Sequence, residues 1–300
     1  MEIKYFSRES QDLQIEKVYG DAAVRWMYET SSGKTFSELF VRPFVSKAYG
    51  ALQSSSLISK RKIKPFIRDF AIKMDEFDPT PGRTEEDPYA HFNEFFIRPF
   101  KAGKRPFVSD EHLFPAPCEA RYFGHAGHSD DLKIPVKGVH MRPRDLVFSE
   151  KWAETFSDGP LVVARLCPVD YHRYHYPDAG EVVESYRVPG ILHSVNPIAL
   201  KQKSEIFLQN ERQVSILETK NFGKLAYIEV GATCVGKIVQ SSKSKQFSRG
   251  EEKGYFLFGG STVILLGEKG AWTPSQDILD WTAKGTEVYL KLGQEMGHKL

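Results

Sequence analysis

The 300-residue chain predicts an α+β fold: a helical N-terminal region followed by a mostly antiparallel β core, sandwich or barrel-like. Three observations predict it. From about residue 21 to 75, apolar side chains such as Trp26, Phe36, Leu39, Phe40 and Phe44 recur at helical spacing. From about residue 113 onward, short runs rich in Val, Ile and Tyr are punctuated by Gly, Pro and Asn. Strands do not alternate with long helices, which disfavours a doubly wound parallel sheet. Residues 1–80 form the helical region under this reading, and 81–300 the β-rich domain.

Taken in order, residues 1–20 read as a short β-like lead-in, and the helical stretch that follows is broken near Pro43. Six basic residues lie between Lys60 and Lys73, interleaved with Ile63, Phe66, Ile67 and Phe70. Such a segment either sits at an anionic lipid surface or presents a solvated face while its aromatics pack inward. Asp78 to Pro88 is a turn-rich connector and the best boundary. The run from Phe92 to Phe100 reads as a short amphipathic helix that ends at Pro99. Strands are expected at Arg121–Gly124, Leu161–Leu166, Val182–Val188, Gln213–Thr219, Lys224–Val230, Lys237–Gln240, Thr262–Leu266 and Glu287–Leu292.

Composition narrows the function classes. With 41% hydrophobic residues the chain can bury a sizeable core, and a formal net charge of +2 makes no global case for nucleic acid. Cys118, Cys167 and Cys234 are far apart and odd in number, which fits a reducing compartment and neither a disulfide scaffold nor a zinc ribbon. The start, Met1-Glu2-Ile3-Lys4-Tyr5-Phe6, lacks the apolar core of a secretory signal. No apolar run approaches the roughly 18 residues of a spanning helix, so membrane contact is expected to be peripheral.

Two stretches carry chemistry. The densest polar cluster is Asp170-Tyr171-His172-Arg173-Tyr174-His175-Tyr176-Pro177. Histidine titrates near neutrality and is the usual general acid or base. Pro177 and the tyrosines argue against a helix, and no carboxylate partner has ligand spacing, so metal binding is not expected. His125 and His128, in a Gly-rich loop, are expected to be exposed. Glu119 follows the turn Pro115-Ala116-Pro117-Cys118 and either orients a histidine or is a surface carboxylate. The second stretch is Phe256-Leu257-Phe258-Gly259-Gly260-Ser261-Thr262-Val263-Ile264. It is either a bulge or tight turn between strands, or a small nucleophile, Ser261, placed after the unhindered carbonyl of Gly260. A serine-hydrolase elbow is disfavoured, since Val263 stands where its last glycine belongs.

Gly260-Ser261-Thr262 near the C-terminus, preceded by the Asp170–Pro177 run, resembles the pyruvoyl-dependent phosphatidylserine decarboxylase family. Further pieces fall in the family's order: Phe92-Asn93 with Phe95-Phe96, Arg98-Pro99 and Lys101; Ser194-Val195-Asn196-Pro197; Asn210-Glu211-Arg212; and Val230-Gly231-Ala232-Thr233-Cys234. The resemblance runs from about residue 35 to 297.

The resemblance implies a self-made cofactor. Ser261 attacks the Gly260 carbonyl, the resulting ester eliminates, and the chain splits into 1–260 and 261–300, the second capped by pyruvoyl. The pyruvoyl ketone forms a Schiff base with phosphatidylserine, and loss of CO2 yields phosphatidylethanolamine. The family pattern assigns His175 as relay base for cleavage and His172 to the substrate side as proton donor. Its relay acid, usually Asp before Gly, maps to Glu119 before Ala120, a longer carboxylate on a stiffer backbone. Glu119 is expected to substitute; failing that, the chain is a non-processing paralogue that binds anionic lipid. The resemblance also implies fragments that stay associated, phosphatidylserine in an anionic membrane as partner, and a peripheral location on the cytoplasmic face of the cell membrane, and it leaves a homodimer open. Arg173, Lys201 and Lys203 are the nearest cations for a phosphate headgroup.

Overall fold

The computed structural model describes residues 2–17, 26, 30, 52–127, 133–134, 139–140, 142–195, 206–232, 237–259 and 261–300. The helical pattern of 31–51, together with His128, Asn196, Lys201, Lys203, Cys234 and Gly260, lies outside these residues.

In chain order the strands are β1 (Lys4–Ser7), β2 (Asp12–Ile15), β3 (Leu113–Pro115), β4 (Ala120–His125), β5 (Lys133–Ile134), β6 (Val139–His140), β7 (Leu161–Leu166), β8 (Arg173–His175) and β9 (Gly180–Val188). They continue with β10 (Arg212–Thr219), β11 (Lys224–Val230), β12 (Ile238–Gln240), β13 (Gln246–Phe247), β14 (Glu252–Phe256), β15 (Ser261–Gly267), β16 (Trp272–Pro274), β17 (Glu287–Leu290) and β18 (Glu295–Lys299). Ten of them form one sheet in the order β13-β9-β10-β11-β15-β7-β4-β17-β1-β2. All its pairings are antiparallel except that of β1 with β17.

The α+β class and the antiparallel core agree with the sequence reading; a barrel does not. Among the described residues the sheet is open, with β13 and β2 at its edges, and small sheets β12-β14-β8, β16-β18-β3 and β5-β6 lie beside it. Alternation in sequence tells which face of a strand is apolar, not which strand it pairs with, so an open sheet and a barrel read alike. The β-like lead-in of residues 1–20 is found as β1 and β2, which extend the main sheet.

The middle of the sheet carries the site. β7 and β15 are buried at every residue, as expected for strands covered on both faces. Outward, β9 exposes most of its side chains. The helix Gln276–Ala283 covers β4 and β17, where Gly124 lets Ile278 approach: a Cβ there would stand 2.8 Å from Ile278 Cγ2.

A second apolar cluster joins Ile63 and Phe66 to Tyr89, Phe92, Phe95, Phe96 and Phe258. The helix Ile63–Phe70 forms because Ile63, Phe66, Ile67 and Phe70 share one face while Lys64 and Arg68 point away, and Pro65 falls in its first turn. Its inward aromatics match the core-packing reading. The preceding turn leaves Leu57 93% and Ile58 41% exposed beside Lys60 and Arg61. No described helix is long and apolar enough to cross a membrane.

Candidate active site

Strand β7 ends at Leu166 and the chain turns through Cys167-Pro168-Val169-Asp170 into β8. Over β8, Arg173–His175, the backbone is extended and side chains alternate, and Tyr171 lies on the His175 side, its hydroxyl 3.3 Å from Nε2. His172 and Tyr174 face one way; Tyr171, Arg173 and His175 face the other. Histidines three apart therefore cannot share a site here, and the two rings go to different environments.

His172 goes to Ser261. Its ring is fully buried and stacks on Phe96, with centroids 3.8 Å apart and planes at 22°. Nε2 lies 2.9 Å from the Cys167 carbonyl, and Nδ1 lies 3.1 Å from Ser261 Oγ. Burial pulls its pKa down to about 3, against the Cys167 carbonyl and with help from nearby Arg98, so the ring is neutral. A carbonyl only accepts, so Nε2 carries the ring proton. Nδ1 is then a bare lone pair, and the Ser261 hydroxyl donates to it. This is the arrangement of a base beside its nucleophile.

Ser261 opens β15 opposite Leu166 of β7 and is fully buried. The chain before it is tied down residue by residue. Phe256 N–H donates to His172 O at 2.9 Å, Leu257 N–H to Lys237 O at 3.1 Å, and Phe258 N–H to Asn93 Oδ1 at 2.9 Å. The Phe258 ring meets Phe92 and Phe96 edge-on at 5.0 and 5.1 Å. Gly259 takes φ +148°, a conformation open to glycine. Thr262 Oγ1 is buried and has no hydrogen-bond partner among the described residues.

His175 is elsewhere. Nδ1 lies 2.9 Å from Gly250 O, and the Tyr171 hydroxyl lies 3.3 Å from Nε2. Burial lowers its pKa too, partly countered by the Gly250 carbonyl. Glu119 is held by Arg105, whose Nε donates to Oε2 at 2.7 Å, and by the Tyr289 hydroxyl at 2.8 Å. Arg105 also grips Glu76 at 2.7 Å and lies over the Phe100 ring. The expected relay of Glu119, His175 and Ser261 is thus not assembled: no hydrogen bond joins Glu119 or His175 to Ser261 or to each other. Arg173 is occupied as well, by Glu252 and the Ile97 carbonyl, each at 2.7 Å. His125, expected to be exposed, is half-buried on β4.

Several residues at the site stand out in the sequence only as parts of a motif. Asn93 and Phe96 prove to hold the segment before Ser261 and the His172 ring. Arg98, 1% exposed, donates to Val169 O at 3.1 Å and so fixes the turn ahead of His172. Burial lowers its pKa to about 10, which leaves it charged at neutrality. The Cys167 carbonyl has no side-chain signature at all.

A family model described as phosphatidylserine decarboxylase matches residues 92–298. The chain is 39% identical over 299 residues to the phosphatidylserine decarboxylase proenzyme of Clostridium perfringens strain SM101, covering 99% of this chain and 100% of that one. It is 38% identical over 300 residues to the proenzyme of the same name from Clostridium novyi strain NT, covering 99% and 100%. For the Clostridium tetani proenzyme the identity is 36% over 298 residues, covering 99% and 98%.

Proposed function

The chain belongs to the phosphatidylserine decarboxylase family, and we propose that Ser261, with His172 as its base, is the source of its reactive group. The protein is a carboxy-lyase made as a proenzyme: it decarboxylates phosphatidylserine to phosphatidylethanolamine after cutting itself. The observation that carries the assignment is the 3.1 Å contact between His172 Nδ1 and Ser261 Oγ, with the proton of the ring held on Nε2 by Cys167 O.

In the cut, His172 Nδ1 takes the hydroxyl proton as Ser261 Oγ bonds to the Gly260 carbonyl carbon. The carbon–nitrogen bond breaks, the nitrogen collects the proton, and the amide has become an ester. Loss of the Ser261 Cα proton then expels the Gly260 carboxylate and leaves dehydroalanine. Water adds, ammonia leaves, and residue 261 becomes a pyruvoyl cap. One water is consumed and one ammonia released. The residues fit such a group: position 261 is fully buried, faces His172, and is followed by the Thr262 hydroxyl, buried without a partner among the described residues. The pyruvoyl ketone supplies an electron sink for the carbanion left by loss of CO2. Phe96 stacks on the ring that moves the proton and fixes its plane, and Phe258 packs edge-on against Phe96.

Access from a membrane surface is supported by Leu57 and Ile58, exposed beside Lys60 and Arg61. The protein then works as a peripheral enzyme at an anionic surface. The non-processing alternative rested on Glu119 replacing a relay acid. Glu119 is engaged by Arg105 and Tyr289, and the cleavage contact forms without it.

Intact-mass measurement on the expressed chain tests the reading. Two fragments are expected, divided before Ser261, the smaller lighter by one ammonia than a serine-started peptide. Ser261→Ala should give one whole chain and no CO2 from phosphatidylserine vesicles. A wild-type chain that stays whole in the presence of such vesicles would overturn it.

A further inference from the structure

We propose that Asp170 is a positioning residue for self-cleavage: held by Arg121, which Glu16 holds in turn, it fixes the Cys167 peptide whose carbonyl sets the tautomer of His172. The proposal rests on the reading of His172 as the base at Ser261.

Cys167 and Asp170 bond to each other twice. Asp170 N–H donates to Cys167 O at 2.9 Å, and Cys167 N–H donates to Asp170 Oδ2 at 2.6 Å. The turn is closed by backbone and by side chain at once. Its carbonyl, which receives His172 Nε2–H at 2.9 Å, cannot swing away without straining both bonds.

The carboxylate is in turn held from β4. Arg121 Nη1 donates to the same Oδ2 at 2.5 Å. Two donors converging on one oxygen require it to be an acceptor. Arg121 stands directly opposite Arg165 of β7, and two buried guanidiniums side by side would repel. Glu16 separates them, with Oε2 at 3.0 Å from Arg121 Nε and 2.7 Å from Arg165 Nη2. Glu287 takes the outer side of Arg165. All five groups are at most 8% exposed. Burial alone would raise the pKa of Glu16, but Arg165 and Arg121 outweigh it and bring it to about 2. Glu16 directly follows the β1–β2 hairpin. The seat of that hairpin on β17 therefore delivers the counter-ion on which the Asp170 contact depends.

A purely structural ion network would stabilise the fold without touching the ring proton. The tautomer separates the two cases. In Ser261→Ala, which stays whole, the nitrogen-15 shifts of the His172 ring report which nitrogen is protonated. The Nε2–H form is expected there. Adding Asp170→Ala should give a mixture of tautomers, and adding Asp170→Asn, which keeps an acceptor for Cys167 N–H, should restore the Nε2–H form. In the chain with Ser261 intact, Asp170→Ala should slow cleavage by about tenfold, short of the roughly 10²–10⁴ that a general base contributes. Should Asp170→Ala not fold, Glu16→Gln in the same whole-chain background should move the tautomer in the same direction. An unchanged Nε2–H form in whichever of the two folds overturns the proposal. A wild-type chain that never cleaves would sink the self-cleavage reading instead, and would leave the tautomer measurement standing.

Discussion

Asn93 Oδ1 accepts the Phe258 backbone N–H at 2.9 Å, so a short helix far away in sequence grips the chain three residues before Ser261. The donor is buried, and losing this hydrogen bond costs about 0.5–1.5 kcal/mol. That cost falls on the segment that must present the Gly260 carbonyl. Asn93→Ala is expected to slow self-cleavage by about tenfold, the equivalent of about 1.4 kcal/mol, while the small fragment still appears. The half-time of its appearance on a denaturing gel, taken well below the unfolding temperature, checks this. A wild-type half-time would show that the grip is structural only.

The two histidines separate by role. His172→Ala removes the lone pair that faces Ser261 Oγ and is expected to slow cleavage by roughly 10²–10⁴. His175→Ala breaks bonds to Gly250 and Tyr171 only and should leave the cut within a few-fold of wild type. Intact mass against time for both variants decides it. The reverse outcome would return the base to His175 and mean that the uncut geometry rearranges before reaction.

The pH dependence follows from burial. His172 is brought to about 3 in the folded protein, against an ordinary value of 6.5. Below 6.5 the unfolded chain takes up a proton that the folded site refuses, so stability is full above that value and declines as pH falls toward about 3. His175 is shifted in the same direction. Denaturant midpoints of Ser261→Ala should therefore fall from neutral pH to about pH 5, and adding His172→Asn should flatten part of that slope. Cleavage itself should show no inflection near 6.5, since the base is already unprotonated there. A rate that halves at the ordinary histidine value would contradict the buried neutral ring.

Much of this site was legible as residues and little of it as geometry. Leu161–Leu166 and Lys224–Val230 were expected and are found with those bounds, because continuous apolar runs of that length admit few other readings. Gly-Gly and its apolar flanks leave Ser261 open between a turn residue and a nucleophile, and the family resemblance is what decides it. The choice between His172 and His175 was not legible, because it turns on extended backbone at a stretch of three residues whose sheet partner, β14, is distant in sequence. Glu119 looked available because its partners, Arg105 and Tyr289, lie 14 and 170 residues away. The β1–β17 pairing, which brings Glu16 to the centre, joins the two ends of the chain and has no local signal.

The fragments should remain one folded unit after the cut. Residues 261–300 contribute β15, which lies between β11 and β7, and β17, which lies between β4 and β1. All four neighbours belong to the large fragment. Val263, Ile264, Leu265 and Leu266 are at most 1% exposed, and Trp272 and Ile278 add fully buried surface from the same fragment. Such an association is apolar and backbone-bonded, so salt that screens surface ion pairs should not dissolve it. The two fragments are expected to elute together on size exclusion in 1 M salt, where the screening length is only about 3 Å, and to part only in denaturant. Ile264→Ala should lower that denaturant threshold, at a cost of about 2–5 kcal/mol. Separate elution of the small fragment under native conditions would mean that β15 leaves the sheet once its N-terminal bond is cut.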